Sequence, residues 1–133
     1  MKKSLEVPVF NEMMCELFQA MKELGGSGTI REIDDKTIEI LGLPAEVQEI
    51  MHGSSSKTEV EYRLAWTRTY MKKVGILENS SRGVWSLTAK GREMEQIDPK
   101  EVVQKVREMT LLKTKGVIPV NDYSIDEAWF LSI

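Results

Sequence analysis

The 133-residue chain has little of what several classes of protein require. It contains one cysteine, Cys15, and one histidine, His52. A single cysteine excludes an internal disulfide framework and is typical of the reducing cytoplasm. One histidine and one cysteine also fall short of the ligand set of a structural zinc site. We therefore expect a cytoplasmic protein without disulfide, metal or cofactor, in which Cys15 is a small buried thiol.

Long hydrophobic runs are absent as well. No apolar stretch approaches the roughly 20 residues that span a bilayer, so no membrane partner is expected. The start, Met-Lys-Lys-Ser-Leu-Glu-Val-Pro, lacks the apolar stretch of a signal peptide. With 41% hydrophobic and 29% charged residues, the composition predicts a soluble globular protein with one core, or a core with a small appendage.

An overall excess of positive charge is also missing, since the net charge is -3. The distribution is uneven, however: residues 1–53 carry -5, residues 54–92 carry +5, and residues 93–133 carry -3. A phosphate backbone responds to local potential more than to net charge. The middle block is therefore a candidate nucleic-acid surface, and the alternative is a chance run of solvated charges.

The first two helices are marked by capping and stop residues. The first is predicted to begin near Asn11 as N-cap and to end at the glycines of 25–28. Thr29 and Glu32 then have the spacing of a capping box for a second helix, which Gly42 ends. A short helical turn is predicted at 45–51, followed by a polar loop at 52–56. The predicted apolar positions of these helices are Met14, Leu17, Phe18, Met21, Leu24, Ile30, Ile33, Ile38 and Leu41.

The third helix, predicted at 57–74, has two different sides. At 100° per residue, its core side comprises Val60, Leu64, Thr67, Met71 and Val74. Its outward side comprises Thr58, Tyr62, Ala65, Trp66, Thr69, Lys72 and Lys73. Large aromatic rings that face away from a core need a cover. A DNA groove is one such cover, and for Trp66 packing against another helix or against 99–133 is the alternative.

A hairpin is predicted after this helix. Trp85 and Leu87 alternate with smaller or polar residues as in a half-buried strand, and 79–83 is a five-residue turn rich in turn formers. Arg82 at the tip is the natural wing contact to a phosphate or a minor groove; a solvated turn arginine is the alternative. Thr88 is expected to cap a following helix.

Several polar residues near the third helix allow two interpretations. Arg63 and Arg68 flank its core side, where they would clamp phosphates or pair with acids such as Glu59, Glu61 and Glu78. His52, beside 54–56, would contact phosphate at the entrance of the third helix, or be an ordinary loop histidine. The sequence leaves both pairs of interpretations open.

The C-terminal part is predicted to be distinct, with 1–97 as the DNA-binding domain and 98–133 as a docking or oligomerisation segment. Asp98-Pro99 interrupts the preceding pattern, and an amphipathic helix is expected from Pro99 to Leu112. The end of the chain, with Trp129 and Phe130, is too apolar to be exposed alone. It is expected to dock on the body or on a second copy, as in a homodimer through 99–133.

Four segments together resemble a known family. They are Val7-Pro8 with Phe10, Thr29-Ile-Arg-Glu-Ile33, Arg63-Leu-Ala-Trp-Thr-Arg-Thr-Tyr-Met-Lys-Lys-Val-Gly-Ile-Leu77, and Arg82-Gly-Val-Trp-Ser-Leu-Thr-Ala-Lys-Gly-Arg-Glu93. Over roughly residues 5–97 the chain resembles the N-terminal domain of Mrr-type restriction proteins. The resemblance implies a winged-helix DNA-recognition domain that, in its family, delivers a nuclease domain to DNA, often modified DNA.

The resemblance also has a departure. A PD-(D/E)xK nuclease domain follows in that family, whereas only 98–133 remain here. Its chemistry needs clustered carboxylates and a lysine around a divalent cation. Asp122, Asp126 and Glu127 lie in a segment too short for that scaffold, so we expect no enzymatic activity.

The expected fold is α+β and mainly α: a winged helix-turn-helix with a three-helix core, a C-terminal β-hairpin wing and an additional C-terminal helix. The expected function is binding of double-stranded DNA. The alternatives are a protein-interaction or dimerisation module, and the recognition subunit of a split restriction nuclease with a separate catalytic subunit. The predicted DNA contacts are Ser55, Ser56, Lys57, Thr58, Tyr62, Arg63, Trp66, Arg68, Thr69, Lys72, Lys73 and Arg82.

Overall fold

The structure, a computed structural model, describes residues 6–114, with side chains through residue 110. A 3-10 turn at Phe10–Met13 precedes six helices: α1 (Met14–Glu23), α2 (Ile30–Leu41), α3 (Ala45–Gln48), α4 (Glu59–Lys73), α5 (Ala89–Glu93) and α6 (Pro99–Thr114). The strands are β1 (Ser27–Thr29), β2 (Leu77–Ser81) and β3 (Val84–Leu87). Within this part of the chain, none of the helices combines the length and the apolar character needed to cross a membrane.

The N-terminal boundary differs from the prediction. Asn11 is not an N-cap, because it lies inside the 3-10 turn Phe10–Met13. Val9 precedes that turn, and its N–H donates to the Glu12 carboxylate at 3.2 Å. The bond between Val9 and Glu12 therefore places the cap at Val9, two residues before Asn11, and α1 continues from the turn.

The start of α2 follows the capping box that was predicted. The Glu32 N–H donates to Thr29 Oγ1 at 3.1 Å, and the Thr29 N–H donates to Glu32 Oε1 at 2.9 Å. These bonds satisfy two backbone donors that a helix start leaves without partners. The predicted stop is also confirmed, because Gly42 ends the helix in the left-handed conformation at φ 67°.

The start of α4 uses the same device, at a slightly different place. The helix begins at Glu59 and not at Lys57, because Thr58 is its N-cap. The Glu61 N–H donates to Thr58 Oγ1 at 3.1 Å, and the Thr58 N–H donates to Glu61 Oε1 at 2.9 Å. The predicted helical turn at 45–51 is shorter in the structure, where α3 spans Ala45–Gln48.

The sheet has one strand more than the predicted hairpin. The strand order is β1-β3-β2 and both pairs are antiparallel. Trp85 of β3 lies opposite Gly28 of β1 and Asn79 of β2. A run of glycine and serine has low strand propensity, so β1 is formed by tertiary pairing with β3 and was missed.

The wing turn is tighter than predicted. Strand β2 extends to Ser81 and β3 begins at Val84, so the turn consists of Arg82 and Gly83, with a bulge between Asn79 and Ser81. Gly83 has φ 74°, a conformation that costs glycine no steric penalty. After β3, Thr88 caps α5 as predicted by accepting from the Gly91 N–H at 3.1 Å.

One apolar cluster joins all the helices except α5 to the sheet. Met14, Leu17, Phe18 and Met21 are buried as predicted, together with Ile33, Leu64, Trp85 and Leu87. Val102 and Val106 of α6 belong to the same cluster. The predicted docking of Trp129 and Phe130 lies outside the described residues. The three helices α1, α2 and α4 with the β1-β3-β2 sheet form the α+β winged-helix type of fold that the sequence predicted.

Candidate nucleic-acid interface

Helix α4 has the core side that its sequence predicted. Val60, Leu64 and Met71 are fully buried, Thr67 is buried with them, and Val74 is 9% exposed. The Thr67 hydroxyl donates to the Phe10 carbonyl at 2.8 Å, or to that of Arg63 at 3.0 Å. This side fixes the rotation of α4 on the body, so the residues on its other side can be placed.

On that other side, the prediction for Thr69 is wrong. Thr69 was expected to face a DNA groove, yet its side chain is only 3% exposed, and Ala65 one turn earlier is 5% exposed. The Thr69 hydroxyl donates to the Ala65 carbonyl at 3.0 Å. A buried threonine satisfies its hydroxyl on its own helix in this way, so Thr69 presents no group to a ligand.

Arg68 is also misplaced by the prediction that it holds phosphates. It is 4% exposed, and its Nη1 donates to Asp34 Oδ1 of α2 at 2.6 Å. The guanidinium lies 5.7 Å from the centre of the Trp85 ring. Because a charge this deep needs a partner, Arg68 is committed to an ion pair between α2 and α4. The acids that the sequence suggested as its partners did not include Asp34.

Burial in this ion pair destabilises the ionised form of the Asp34 carboxyl group. Burial raises the pKa of Asp34 to about 6, and the nearby Arg68 charge offsets only part of that effect. Arg68 Nε is buried and has no hydrogen-bond partner among the described residues. The pair is therefore incompletely satisfied, which is unusual for buried polar groups.

Arg63 is not available for phosphates either. Its Nε donates to Glu59 Oε2 at 2.6 Å, which confirms the alternative of pairing with an acid. Its Nη1 donates to the carbonyls of Val7 and Pro8 at 2.7 and 3.2 Å. Arg63 thus ties the N-terminal segment to α4, because three acceptors from two parts of the chain converge on one guanidinium.

His52 is joined to the same group. Its Nδ1 lies 2.7 Å from Glu59 Oε1, and its ring stacks on Tyr62 at 3.5 Å between centroids. Burial alone would raise the pKa of Glu59, but the hydrogen bonds from His52 and Arg63 hold it below its ordinary value. His52 therefore has specific partners at the start of α4. The prediction that it touches phosphate remains untested.

The two outward aromatic residues of α4 are half-buried. Tyr62 is covered on one side by the His52 ring, and Trp66 meets Tyr70 edge to face at 6.4 Å. Tyr70 in turn packs against Phe10 at 4.5 Å. The rings form a row along α4, so part of the cover that these aromatics need comes from the chain itself.

The polar residues before α4 lie at its N-terminal end. Ser55 and Ser56 are exposed, and Lys57 is half-buried. The Ser55 hydroxyl donates to the His52 carbonyl at 2.9 Å, while Thr58 serves as the helix cap. The N–H groups at the start of the helix already have partners, because that of Glu59 donates to the Ile50 carbonyl at 2.7 Å and that of Glu61 donates to Thr58 Oγ1.

The remaining cations lie towards the wing. Lys72 is half-buried, with its amino group 5.8 Å from the centre of the Trp85 ring, and Lys73 is half-buried on the next position. Arg82 is exposed at the tip of the wing turn. The adjacent Gly83 carbonyl accepts the Ile30 N–H at 3.1 Å, which ties the wing turn to the start of α2.

A groove of about 420 Å³, the α2–α4 groove, lies between α2 and a segment that runs from Ser56 to Arg68 of α4. Ile30 and Ser56 line it together with six charged residues: Arg31, Asp34, Asp35, Lys57, Glu61 and Arg68. Arg31 was missed from the sequence. Its place at the second position of α2, whose start touches the wing, depends on the pairing of β1 with β3.

The described part of the chain shows neither a metal-binding cluster nor an activated thiol. No three His, Cys, Asp or Glu side chains of residues 6–110 are grouped so as to hold a metal ion. Cys15 was expected to be buried, but it is exposed, with its Sγ 3.7 Å from the Ile97 carbonyl. Partial burial raises the pKa of its thiol, as do Glu16 and Asp98.

The sequence model of a family described as the Mrr N-terminal domain matches residues 10–96, which include α1 to α5 and the whole sheet. No curated protein and no solved structure matches the chain.

Proposed function

Because the chain belongs to the Mrr N-terminal domain family, we propose that it binds double-stranded DNA through α4 and the wing. The family points to an association with Mrr-type restriction systems, and the matched region is an N-terminal domain and not a catalytic one. We propose that the chain recognises DNA and leaves cleavage to a separate nuclease subunit.

The observation that carries this proposal is the position of Ile30. Its N–H is bonded to the Gly83 carbonyl, next to Arg82, and its side chain lines the α2–α4 groove with Lys57. The wing turn is thus bonded to a residue that lines the same groove as the N-terminal end of α4. A winged helix needs this neighbourhood to hold the recognition helix in the major groove and the wing on the flanking backbone.

The proposed contacts are chosen to be consistent with the burial pattern. Tyr62, Trp66 and Lys73 of α4 are proposed to face the base edges, with Thr58 at the helix start. Ser55, Ser56, Lys57 and Lys72 are proposed to hold phosphates, joined by Arg31, and Arg82 to contact the backbone beside the wing. Arg63, Arg68 and Thr69 are left out, because each side chain already has a hydrogen-bond partner within the protein.

The salt dependence of binding tests this assignment. Four cations are proposed to contact phosphates: Arg31, Lys57, Lys72 and Arg82. If three or four of them each neutralise a phosphate, the slope of log K against log salt concentration should be about -3 to -4. Gel-shift titrations across a salt series would measure it. Binding that ignores salt would refute the proposal.

The same reactions test the absence of cleavage. With Mg²⁺ added and the incubation extended, the DNA is expected to remain intact when only this chain is present. A ladder of cut products would overturn the assignment of cleavage to another subunit, while leaving the salt slope to judge the binding itself.

A second candidate function, protein binding, is favoured by a different observation. Val9, Ile50 and Met51 are large apolar side chains that are 46%, 37% and 49% exposed. The backbones of Ile50 and Met51 pair with those at the start of α4, and Val9 follows the segment held by Arg63. A partner or a second copy seated there would cover Tyr62, and sedimentation of the protein with and without DNA distinguishes this case.

A further inference from the structure

The outward face of α4 has an aromatic part and a basic part. Tyr62, Trp66 and Tyr70 repeat every four residues and form a row of half-buried rings, the aromatic row. Lys72 and Lys73 follow this row in the last turn of the helix. A ligand that fits this face therefore needs apolar groups for the rings and negative charge for the lysines.

Both properties occur together in residues 115–133, the tail segment, which lies outside the described residues. From residue 116 onwards the tail segment contains no lysine or arginine. Its acids are Asp122, Asp126 and Glu127, and Trp129 and Phe130 follow them. In composition, the tail segment is therefore complementary to the outward face of α4.

The spacing of these groups also matches. Trp66 precedes Lys73 by seven residues, which is two turns on the same side of a helix and about 10 Å along its axis. Asp126 precedes Trp129 by three residues, which spans about 10 Å in an extended chain. Asp126 can therefore reach Lys73 while the Trp129 ring lies on the aromatic row.

The path of the chain leads the tail segment to α4. Helix α6 packs on α4 and on the 3-10 turn, and its Val102 lines a small cavity with Val74, which follows the last residue of α4. Fully extended, residues 115–133 reach about 60 Å, whereas α4 is only about 22 Å long. The tail segment is therefore long enough to reach every part of the outward face.

A second apolar surface fits the tail segment less well. Ile50 and Met51 are 37% and 49% exposed, but the exposed acids Glu46 and Glu49 precede them. The acids of the tail segment would be repelled there, because like charges raise the energy of a contact. The outward face of α4 offers apolar surface together with positive charge.

We propose that the tail segment docks on the aromatic row and on Lys73 of its own chain, and so competes with DNA for α4. The competition rests on the proposed DNA binding, whereas the docking does not. A tethered segment has an effective concentration in the millimolar range, roughly a thousandfold above that of a second copy in a micromolar solution. The occupant is therefore the same chain. If the tail segment alone binds at about 0.1 mM, docking weakens DNA binding about tenfold.

The double variant Trp129→Ser with Phe130→Ser tests the competition. It removes the two rings from the tail segment and is expected to bind DNA about tenfold more tightly than the natural protein in gel shifts. Equal affinities would overturn the inference and leave the proposed function intact. If neither protein binds DNA, the proposed function is overturned, and the spectroscopic measurement below decides the docking.

A second double variant, Asp126→Asn with Glu127→Gln, tests the ionic part of the contact. Its matched control is Glu101→Gln with Glu108→Gln, which removes two exposed acids from α6. The change in the tail segment is expected to raise DNA affinity about threefold more than the control does. An equal gain in both would show that these acids only repel DNA from a distance, and would overturn the docking.

Proton–nitrogen NMR of the 133-residue chain without DNA measures the docking directly. The indole signal of Trp66 is expected to shift in the Trp129→Ser, Phe130→Ser variant, while the amide signals of α2 stay unchanged and report an intact fold. An unshifted Trp66 signal would refute the contact. Sedimentation that shows a dimer for the natural protein and a monomer for this variant would assign the tail segment to a second copy, and would also overturn the proposal.

Discussion

Replacing the buried ion pair of Asp34 and Arg68 by apolar side chains measures what that pair contributes to stability. The Arg68 Nη1 and Asp34 Oδ1 atoms are 2.6 Å apart, and both side chains are nearly inaccessible to solvent. Breaking a buried pair by removing one partner typically costs about 3–5 kcal/mol, because the other charge is left alone in the interior. Replacing both partners together is often neutral or stabilising by about 1–4 kcal/mol.

The two single substitutions should not be equivalent. Arg68→Met leaves the Asp34 carboxylate, which escapes its isolation by taking up a proton. Asp34→Leu leaves a guanidinium, which stays charged in proteins. Asp34→Leu is therefore expected to lower the free energy of unfolding by about 3 kcal/mol or more. Arg68→Met should lower it by less, and the double variant should be at least as stable as the natural protein.

The pH dependence gives the same reasoning an independent check. Burial raises the pKa of Asp34 from 3.8 to about 6 in the folded state. The folded protein thus holds this proton more tightly than the unfolded chain. The stabilisation is complete below pH 3.8 and is lost as the pH rises through about 6. Between pH 7 and 4, the natural protein should gain stability relative to Asp34→Asn, by up to about 1 kcal/mol per pH unit.

Urea denaturation of the natural protein, the two single variants and the double variant provides the assay. For an m-value of about 1–2 kcal/mol per molar urea, a loss of 3 kcal/mol moves the midpoint by roughly 2 M. Single variants that cost less than about 0.5 kcal/mol each would refute the argument, because they would show that the pair is effectively solvated. A double variant that loses the sum of both single effects would refute it as well, since partners in contact should not be additive.

Three further predictions concern α4, the wing and the helix caps. Arg82→Ala is expected to weaken binding to all DNA sequences by a similar factor and to reduce the salt slope by about 1, whereas Arg107→Ala, the same charge change on exposed α6, should leave it unchanged. Tyr62→Ala should instead alter the ranking of sites in a selection from random oligonucleotides; an unaltered ranking would remove Tyr62 from the base-reading face. Thr29→Ala and Thr58→Ala should each cost about 1 kcal/mol of unfolding free energy, and a loss below about 0.3 kcal/mol would contradict the observed capping bonds.

Local chemistry made much of the fold predictable from the sequence. The Thr29 capping box and the Gly42 stop depend on residues within one or two helical turns of each other, and the core side of α4 depends on apolar residues repeated at three- and four-residue intervals. All three are confirmed. Strand β1 could not be predicted in this way, because Ser27–Thr29 gains its conformation from β3, more than fifty residues later.

The candidate site was less predictable for the same reason. A helical wheel places Arg63 and Arg68 beside the core side of α4, but it does not contain their partners. Asp34 is 34 residues before Arg68, and the Val7 carbonyl is 56 residues before Arg63. Such distant acceptors determine whether an arginine stabilises the fold or can bind a ligand. Arg82 is exposed at the wing turn as the sequence predicted, and its contact with DNA stays a prediction.

The bonds from Arg63 to the Val7 and Pro8 carbonyls indicate where the protein can be truncated. The family match starts at residue 10 and stops at residue 96, yet these two acceptors precede it and the buried Val102 and Val106 follow it. A protein truncated to residues 10–96 would lose two acceptors of the Arg63 guanidinium and the buried valines of α6. The smallest autonomous piece therefore begins before Val7 and retains α6.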